Sequence, residues 1–416
     1  MKFRDTFKCK HKGENVKITK LSLAAVAAMT LTTGAMAEVT SELSGNVKYW
    51  YETAEKSTGT GEGLFHKTPN GFTHGQAALS IEAKGKAGVL GYGFKYTAVD
   101  SLGLEDELVG NVRTSKVNPG TNFETAHWAE KAFITYKMGN TTAKVGRQHL
   151  NTPMAFTEAW NVAANSFDAA VLLNSDIENV TLMGAYVGRG NGGNQQAGNG
   201  FSTVRLNGEF TKYVVDGAYA AGIYAKPMKG LGLNAHYWNV LQVADALWLD
   251  ANYAISGVKL GAVYAQTMPK ATAGDDINAL AIKAGTKAGP VNLFAAYSTI
   301  EEGNAGSIPF GNTATGFKKT KLPTAGVYSD GLYVAQRGSD SFKVKAAMPV
   351  GSFKLAAQYI NVANDVLPGL EVGEFDFIAS TKIKDVNVKA IYVNRDHELA
   401  GKADWDHVRI IAGINF

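Results

Sequence analysis

Residues 408–416 read "VRIIAGINF". Taken in steps of two, Val408, Ile410, Ala412, Ile414 and Phe416 share one face, and Arg409, Ile411, Gly413 and Asn415 share the other. Strand side chains alternate between two faces, so one face of this stretch suits an apolar medium and the other meets water. Chain ends are usually polar and frayed. A terminal strand with an apolar face and a bare phenylalanine is expected when a sheet must close on itself and leave no edge.

The same alternation recurs upstream. Phe342, Val344 and Ala346 interleave with Lys343 and Lys345, and Phe353, Leu355, Ala357 and Tyr359 with Lys354, Ala356 and Gln358. Val386, Val388, Ala390 and Tyr392 interleave with Asn387, Lys389 and Ile391. Beyond residue 38 no apolar run reaches the ~18 residues that a membrane helix needs. Short connections (139–140, 256–257, 285–290, 349–352, 384–385) alternate with long polar ones (53–75, 99–127, 189–211, 300–339, 396–404). Short turns at one end and long loops at the other describe an all-β, transmembrane antiparallel β-barrel. A soluble sandwich also alternates, but it leaves the aromatic strand ends Tyr49-Trp50-Tyr51 and Tyr237-Trp238 without a reason.

Pattern alone marks nineteen segments. A single-chain barrel with both ends on one side needs an even number. Counting forward makes 189–201 an external loop. Counting back makes 213–224 an inward strand, so the segment 202–210 is surplus and joins the loop or extends 213–224. Eighteen strands are expected, with sixteen or twenty as alternatives. A barrel this wide encloses a lumen and not a packed core, so loops must narrow it.

The front of the chain reads as an address. Lys17 and Lys20 precede an uncharged run, residues 21–36, and Ala35-Met-Ala37 supplies a small-residue cleavage site. This is a secretory signal peptide over 1–37, ahead of one barrel domain over 38–416. Residues 1–15 lengthen it unusually and fit an upstream start artefact, with Val16 as the initiating codon. The whole chain carries net charge +4, but residues 1–37 hold seven of its Lys/Arg and two acids. The remainder has 34 basic and 35 acidic residues, which gives no ground for a nucleic-acid partner. The lone cysteine, Cys9, also lies in 1–37, so the mature chain has no disulfide and no thiolate chemistry.

The stretch "KVGRQHLNTPMAFTEAWNVAANSFDAAVLLNSDIENVTLMGAYVGR" (144–189) resembles OprD-type outer-membrane porins of the epsilonproteobacteria, relatives of the Campylobacter major outer-membrane protein. So do "DGAYAAGIYA" (216–225) and "VADALWLDANYAI" (243–255). The resemblance implies an eighteen-stranded barrel in the cell outer membrane, usually a homotrimer, that passes small hydrophilic solutes and ions by diffusion. It also implies that the third external loop, 149–166, folds into the lumen as the constriction. That loop carries His149, Asn151, Glu158, Asn161 and Asn165 beside Pro153 and Trp160. A basic ladder guiding carboxylates or amino acids, and Ca²⁺ held by lumen acids, are further implications. The last residues resemble the C-terminal signal read by the barrel-assembly machinery, with Phe416 final and Ile414 where an aromatic is common.

Charges between apolar strand positions must face water. That parity puts Lys48, Lys131, Lys144, Asp250, Lys259 and Lys283 in the lumen, with Lys343, Lys345, Lys354, Asp376, Lys389 and Arg409. Most acids are expected in loops. A transverse field is expected across the opening, with Arg147, Lys144 and Lys389 on one side and Glu158 and Asp168 on the other.

Enzyme chemistry finds no foothold. There is no GxSxG, HExxH or phosphate-binding P-loop, and the eight histidines are scattered. The Gly-rich segment 188–200 is not a strand-to-helix turn and reads as an external loop. The expected class is a non-enzymatic porin, with lipid and lipopolysaccharide as surroundings and no cofactor of its own. A barrel enzyme would need an acid–base set at one rim. A structural surface protein would need an attached binding domain.

Overall fold

Alternation along the strands decides the architecture. The computed structural model describes residues 39–56, 64–65, 73–100, 102, 126–192, 210–271, 273–398 and 403–416. The signal segment with Ala35 and Ala37, and all of the surplus segment 202–210 except Phe210, lie outside the described residues.

The strands are β1 (Val39–Lys56), β2 (His74–Ala87), β3 (Leu90–Asp100), β4 (Ala126–Met138), β5 (Thr141–Gln148) and β6 (Phe167–Asn174). They continue with β7 (Val180–Gly190), β8 (Ala218–Met228), β9 (Leu231–Val240), β10 (Ala244–Ile255), β11 (Val258–Pro269) and β12 (Ile277–Ala288). The last six are β13 (Val291–Ile300), β14 (Ser339–Val350), β15 (Phe353–Asn364), β16 (Val372–Ile383), β17 (Val386–His397) and β18 (Trp405–Asn415). Each pairs antiparallel with its neighbour in sequence, and β18 pairs with β1, so the sheet closes. The residues Thr211–Lys212 add a two-residue ladder against Arg189–Gly190 of β7, while β7 itself pairs directly with β8. The closed circuit has eighteen strands, not sixteen or twenty. Among the described residues no helix is long and apolar enough to cross a membrane.

The closing seam joins Asn46 to Asn415, Lys48 to Gly413 and Glu52 to Arg409. Phe416 extends the seam with a reciprocal backbone pair to Gly45, N–H to O at 3.0 and 2.7 Å. Its ring covers Gly45, where an added Cβ would stand 2.5 Å from the ring. Ile414 lies opposite Val47.

Outward positions are apolar and exposed, as with Ile134, Leu172, Ile282 and Val344, with Tyr136, Tyr237 and Tyr297 among them. Exposed apolar side chains in such a continuous band do not suit water; they suit hydrocarbon. The buried residues instead line the inner wall. Trp238, Trp248, Ile277 and Phe167 pack there against Met154, Phe310 and Leu322 of two connecting segments. Those segments, 149–166 and 301–338, fold inward. Burying a large apolar side chain stabilises by roughly 1.5–3 kcal/mol, so three such anchors fix the segments as walls and exclude a loose outer flap.

Candidate functional site

Segment 149–166 is tied to the inner wall from below. Lys48 of β1 donates to the carbonyl of Ala159 at 3.3 Å and to that of Asn161. Pro153 has no N–H to satisfy, and the chain turns back at Thr152, whose N–H and hydroxyl both reach the Ala155 carbonyl. Segment 301–338 crosses the opening from the other side. It meets the wall through Thr267 to the Ile308 carbonyl (2.8 Å), Ser298 with Thr324 (2.6 Å) and Lys343 to the Ala325 carbonyl (2.5 Å).

The two segments are bonded to each other. Asn312 donates to the Phe156 carbonyl (2.8 Å) and to Glu158 (2.9 Å), and accepts from the Phe156 N–H (3.1 Å). Thr313 donates to the Met154 carbonyl (2.7 Å), and Lys321 donates to Asn151 (2.8 Å). Glu158 is buried at this junction and also accepts from Trp160 Nε1 (2.7 Å) and Thr315. Burial pushes its carboxyl above the usual range, and the hydrogen bonds from Thr315, Trp160 and Asn312 offset part of that rise. Asp330, paired with Lys319 at 2.9 Å, is raised by burial in the same way. Burial lowers the Lys321 ammonium.

Strand side chains complete the clamp. Glu374 of β16 accepts the N–H groups of Val327 (2.7 Å), Tyr328 (3.0 Å) and Ser329 (2.5 Å), three successive residues of segment 301–338. At the closing seam, Arg409 donates Nε to Glu52 (2.9 Å) and Nη2 to the Tyr328 hydroxyl (2.8 Å). Tyr328 in turn donates to Glu52 and stacks on His407, ring centroids 4.1 Å apart. The Arg409 guanidinium also lies about 5 Å from the rings of Trp50 and Trp160.

Register places the expected lumen charges on the inward alternation. Lys131 pairs with Glu82 (3.0 Å), and His149 Nε2 lies 3.0 Å from Glu130. Lys144 sits 3.8 Å from the Phe133 ring centre. Lys354 and Lys389 are exposed on the wall. Arg409 is inward but only 5% exposed, its charge already engaged by Glu52.

One expectation is corrected. Arg147 and Asp168 do not stand on opposite sides of an opening. They face each other on adjacent strands β5 and β6, and are bonded at 2.9 and 3.3 Å, with Arg189 2.9 Å from the same carboxylate. Their alternation is that of Val145 and Leu172, each about half exposed on the outer face, so they belong to the outer rim. Arg147 there lies 3.3 Å from the Phe210 ring. Parity did not place either residue in the lumen; the expected transverse field did, and it overlooked that the two stand opposite each other on neighbouring strands.

Beyond the expected strand acids Asp250 and Asp376, Glu52, Glu130 and Glu374 are buried inward strand residues. Glu130 escaped parity because β4 carries a bulge, with Lys95 opposite Lys131 and Tyr96 opposite Ala129. The extra residue lets Glu130 face inward beside Lys131, where it bonds Lys95 (2.8 Å) and Thr97 (2.5 Å). Glu374 was detectable, since it shares a face with Asp376 two residues on. Among the described residues no group of three His, Cys, Asp or Glu side chains is placed to hold a metal.

No protein-family model matches the sequence, and no curated protein matches it. Solved structures do. Acinetobacter baumannii OccAB1 aligns over 92% of this chain and 98% of its own, with TM-score 0.70 and 15% identity. Pseudomonas aeruginosa OccK8 (OprE) aligns over 90% and 98%, TM-score 0.69, 13% identity. Pseudomonas aeruginosa OccK3 (OpdO) aligns over 90% and 95%, TM-score 0.64, 14% identity. These neighbours are OprD/Occ outer-membrane channels. At such identity the likeness is one of fold: an eighteen-stranded closed barrel shared over nearly the whole length.

Proposed function

We propose that this chain is an OprD-type outer-membrane porin that lets small hydrophilic solutes and ions diffuse passively through its lumen. One observation carries the reading. A closed eighteen-stranded barrel with an apolar exterior has a charged inner wall, narrowed by two anchored segments and not filled by a core. Such a wall offers water-lined passage across hydrocarbon. The affiliation with epsilonproteobacterial porins rests on the resemblance of 144–189, 216–225 and 243–255.

Within this reading, segments 149–166 and 301–338 form the constriction, with Glu158 and Asn151 at their junction. Lys131, Lys144, Lys354 and Lys389 line the approach, which favours anions such as small carboxylates. Cleavage follows Ala37, Phe416 and Ile414 serve barrel assembly, and three copies associate in the outer membrane. Planar-bilayer recording of purified protein tests the central point. Stepwise ion-conducting openings are expected, and electrically silent protein that retains its folded barrel refutes the reading. Reversal potential in a salt gradient then gives the ion preference, and cation preference would remove the basic approach from the account.

A further inference from the structure

Below segment 149–166 the inner wall carries a group of lysines, of which Lys48 also reaches that segment while Lys354, Lys382 and Lys389 do not bond it. Two neighbouring inward rows cross strands β15 to β18 and β1. In one, Lys48 lies opposite Gly413, Gly413 opposite Asn387, and Asn387 opposite Lys382. In the other, Ile411 lies opposite Lys389, Lys389 opposite Ser380, and Ser380 opposite Lys354. Together they line a cavity of about 500 Å³ toward the short-turn end of the barrel. Its floor is low because Gly413 has no side chain, and a Cβ there would come within 3.2 Å of the Val47 carbonyl.

The charge pattern differs from that around Lys95 and Lys131. Lys95 and Lys131, farther along the wall, each meet a carboxylate, Glu130 and Glu82. No carboxylate lines this cavity, and among the described residues none forms an ion pair with Lys354, Lys382 or Lys389. Adjacent strands are ~4.8 Å apart, so lysine stems reach a common centre from both sides of the rows. Like charges lining one cavity repel one another, and the attraction for a ligand grows with its charge.

We propose that Lys48, Lys354, Lys382 and Lys389 form a binding site for a soluble multivalent oxyanion of phosphate chemistry, an inorganic polyphosphate or a phosphorylated small solute. Ammonium groups act as rotatable point-charge donors suited to a tetrahedral oxyanion, and Ser380 and Asn387 add neutral donors. The cavity exceeds one phosphate group, which leaves room for a second group or an attached solute. It faces the lumen and not the lipid, so a free anion is the ligand and a lipid headgroup is not. The proposal rests on the barrel being a water-filled channel.

Inorganic pyrophosphate is the probe. Added on the short-turn side of single channels in KCl, it is expected to block current in a saturable, voltage-dependent way, while acetate at equal ionic strength does not. The triple variant K354Q/K382Q/K389Q is expected to raise the half-blocking concentration at least tenfold with the barrel still folded. Equilibrium dialysis of detergent-solubilised protein against radiolabelled pyrophosphate gives a second readout, with saturable binding in the native chain that the triple variant loses. Block equal for pyrophosphate and acetate, or block and binding unchanged in the triple variant, overturns the site. Saturable binding by a barrel that conducts no ions sustains the site and refutes the porin reading.

Discussion

Replacing Arg409 by Ala tests whether the closing seam also holds the constriction. Arg409 is 5% exposed, bonds Glu52 at 2.9 Å and the Tyr328 hydroxyl at 2.8 Å, and lies against Trp50 and Trp160. Glu52 is 3% exposed, so loss of the guanidinium leaves a buried carboxylate beside Tyr328 and His407 without the cation that bonds it. Breaking a buried pair by removing one partner costs about 3–5 kcal/mol, most of it the uncompensated charge left behind. The cost therefore falls when that charge is removed too: R409A/E52Q is expected to cost at least about 1.5 kcal/mol less than the sum of the single variants. Reversible guanidinium unfolding in lipid vesicles, followed by tryptophan emission, reads both numbers. Single-channel recording adds a second signature, since Tyr328 belongs to segment 301–338 and its release increases open-channel noise. An R409A variant within about 0.5 kcal/mol of the native chain, or single costs that simply add, refutes the account of Arg409 as a lock.

Other outcomes follow from the same geometry. Glu374→Ala removes the acceptor of three successive backbone N–H groups, each bond to a charged group contributing about 1.5–3 kcal/mol; segment 301–338 should become protease-accessible in intact vesicles while the barrel persists, and unchanged cleavage argues against the clamp. Gly146 has φ of +118° and an added Cβ would stand 2.3 Å from the Ala132 carbonyl, so Gly146→Ala should cost about 1–3 kcal/mol, measured by the same unfolding assay. The carboxyl of Glu158 is raised by burial, so its ionised form opposes the folded junction. Its contribution to stability is full below the ordinary carboxylate value and is lost as pH rises through its elevated one. Glu158→Gln should therefore flatten the gain in stability seen on acidification across that window, and a pH profile parallel to the native chain counts against it. Deleting Phe416 removes two backbone bonds and the cover over Gly45, and should lower the yield of assembled barrel in outer-membrane fractions.

Arg147 marks the boundary of what linear reading can do. Its neighbours Val145 and Lys144 show the alternation correctly, and the face of Arg147 follows from them; the expected transverse field set it across the opening from Asp168 without asking which strands the two lie on. Parity is a local property, because successive side chains of a strand point to opposite faces whatever the strand pairs with. For that reason the eighteen strands, the turn directions, the closing role of 408–416 and the inward lysines were all legible without coordinates. Glu130 was not, since a bulge is a relation between two strands and appears only once Lys95 is set opposite Lys131. The partnership of segments 149–166 and 301–338 was equally hidden. Asn312 and Phe156 are 156 residues apart, and no periodicity links them. Covalent order and alternation thus determined the barrel, while pairing across the lumen decided which of its charges are neutralised, which hold the loops and which remain free to meet a solute.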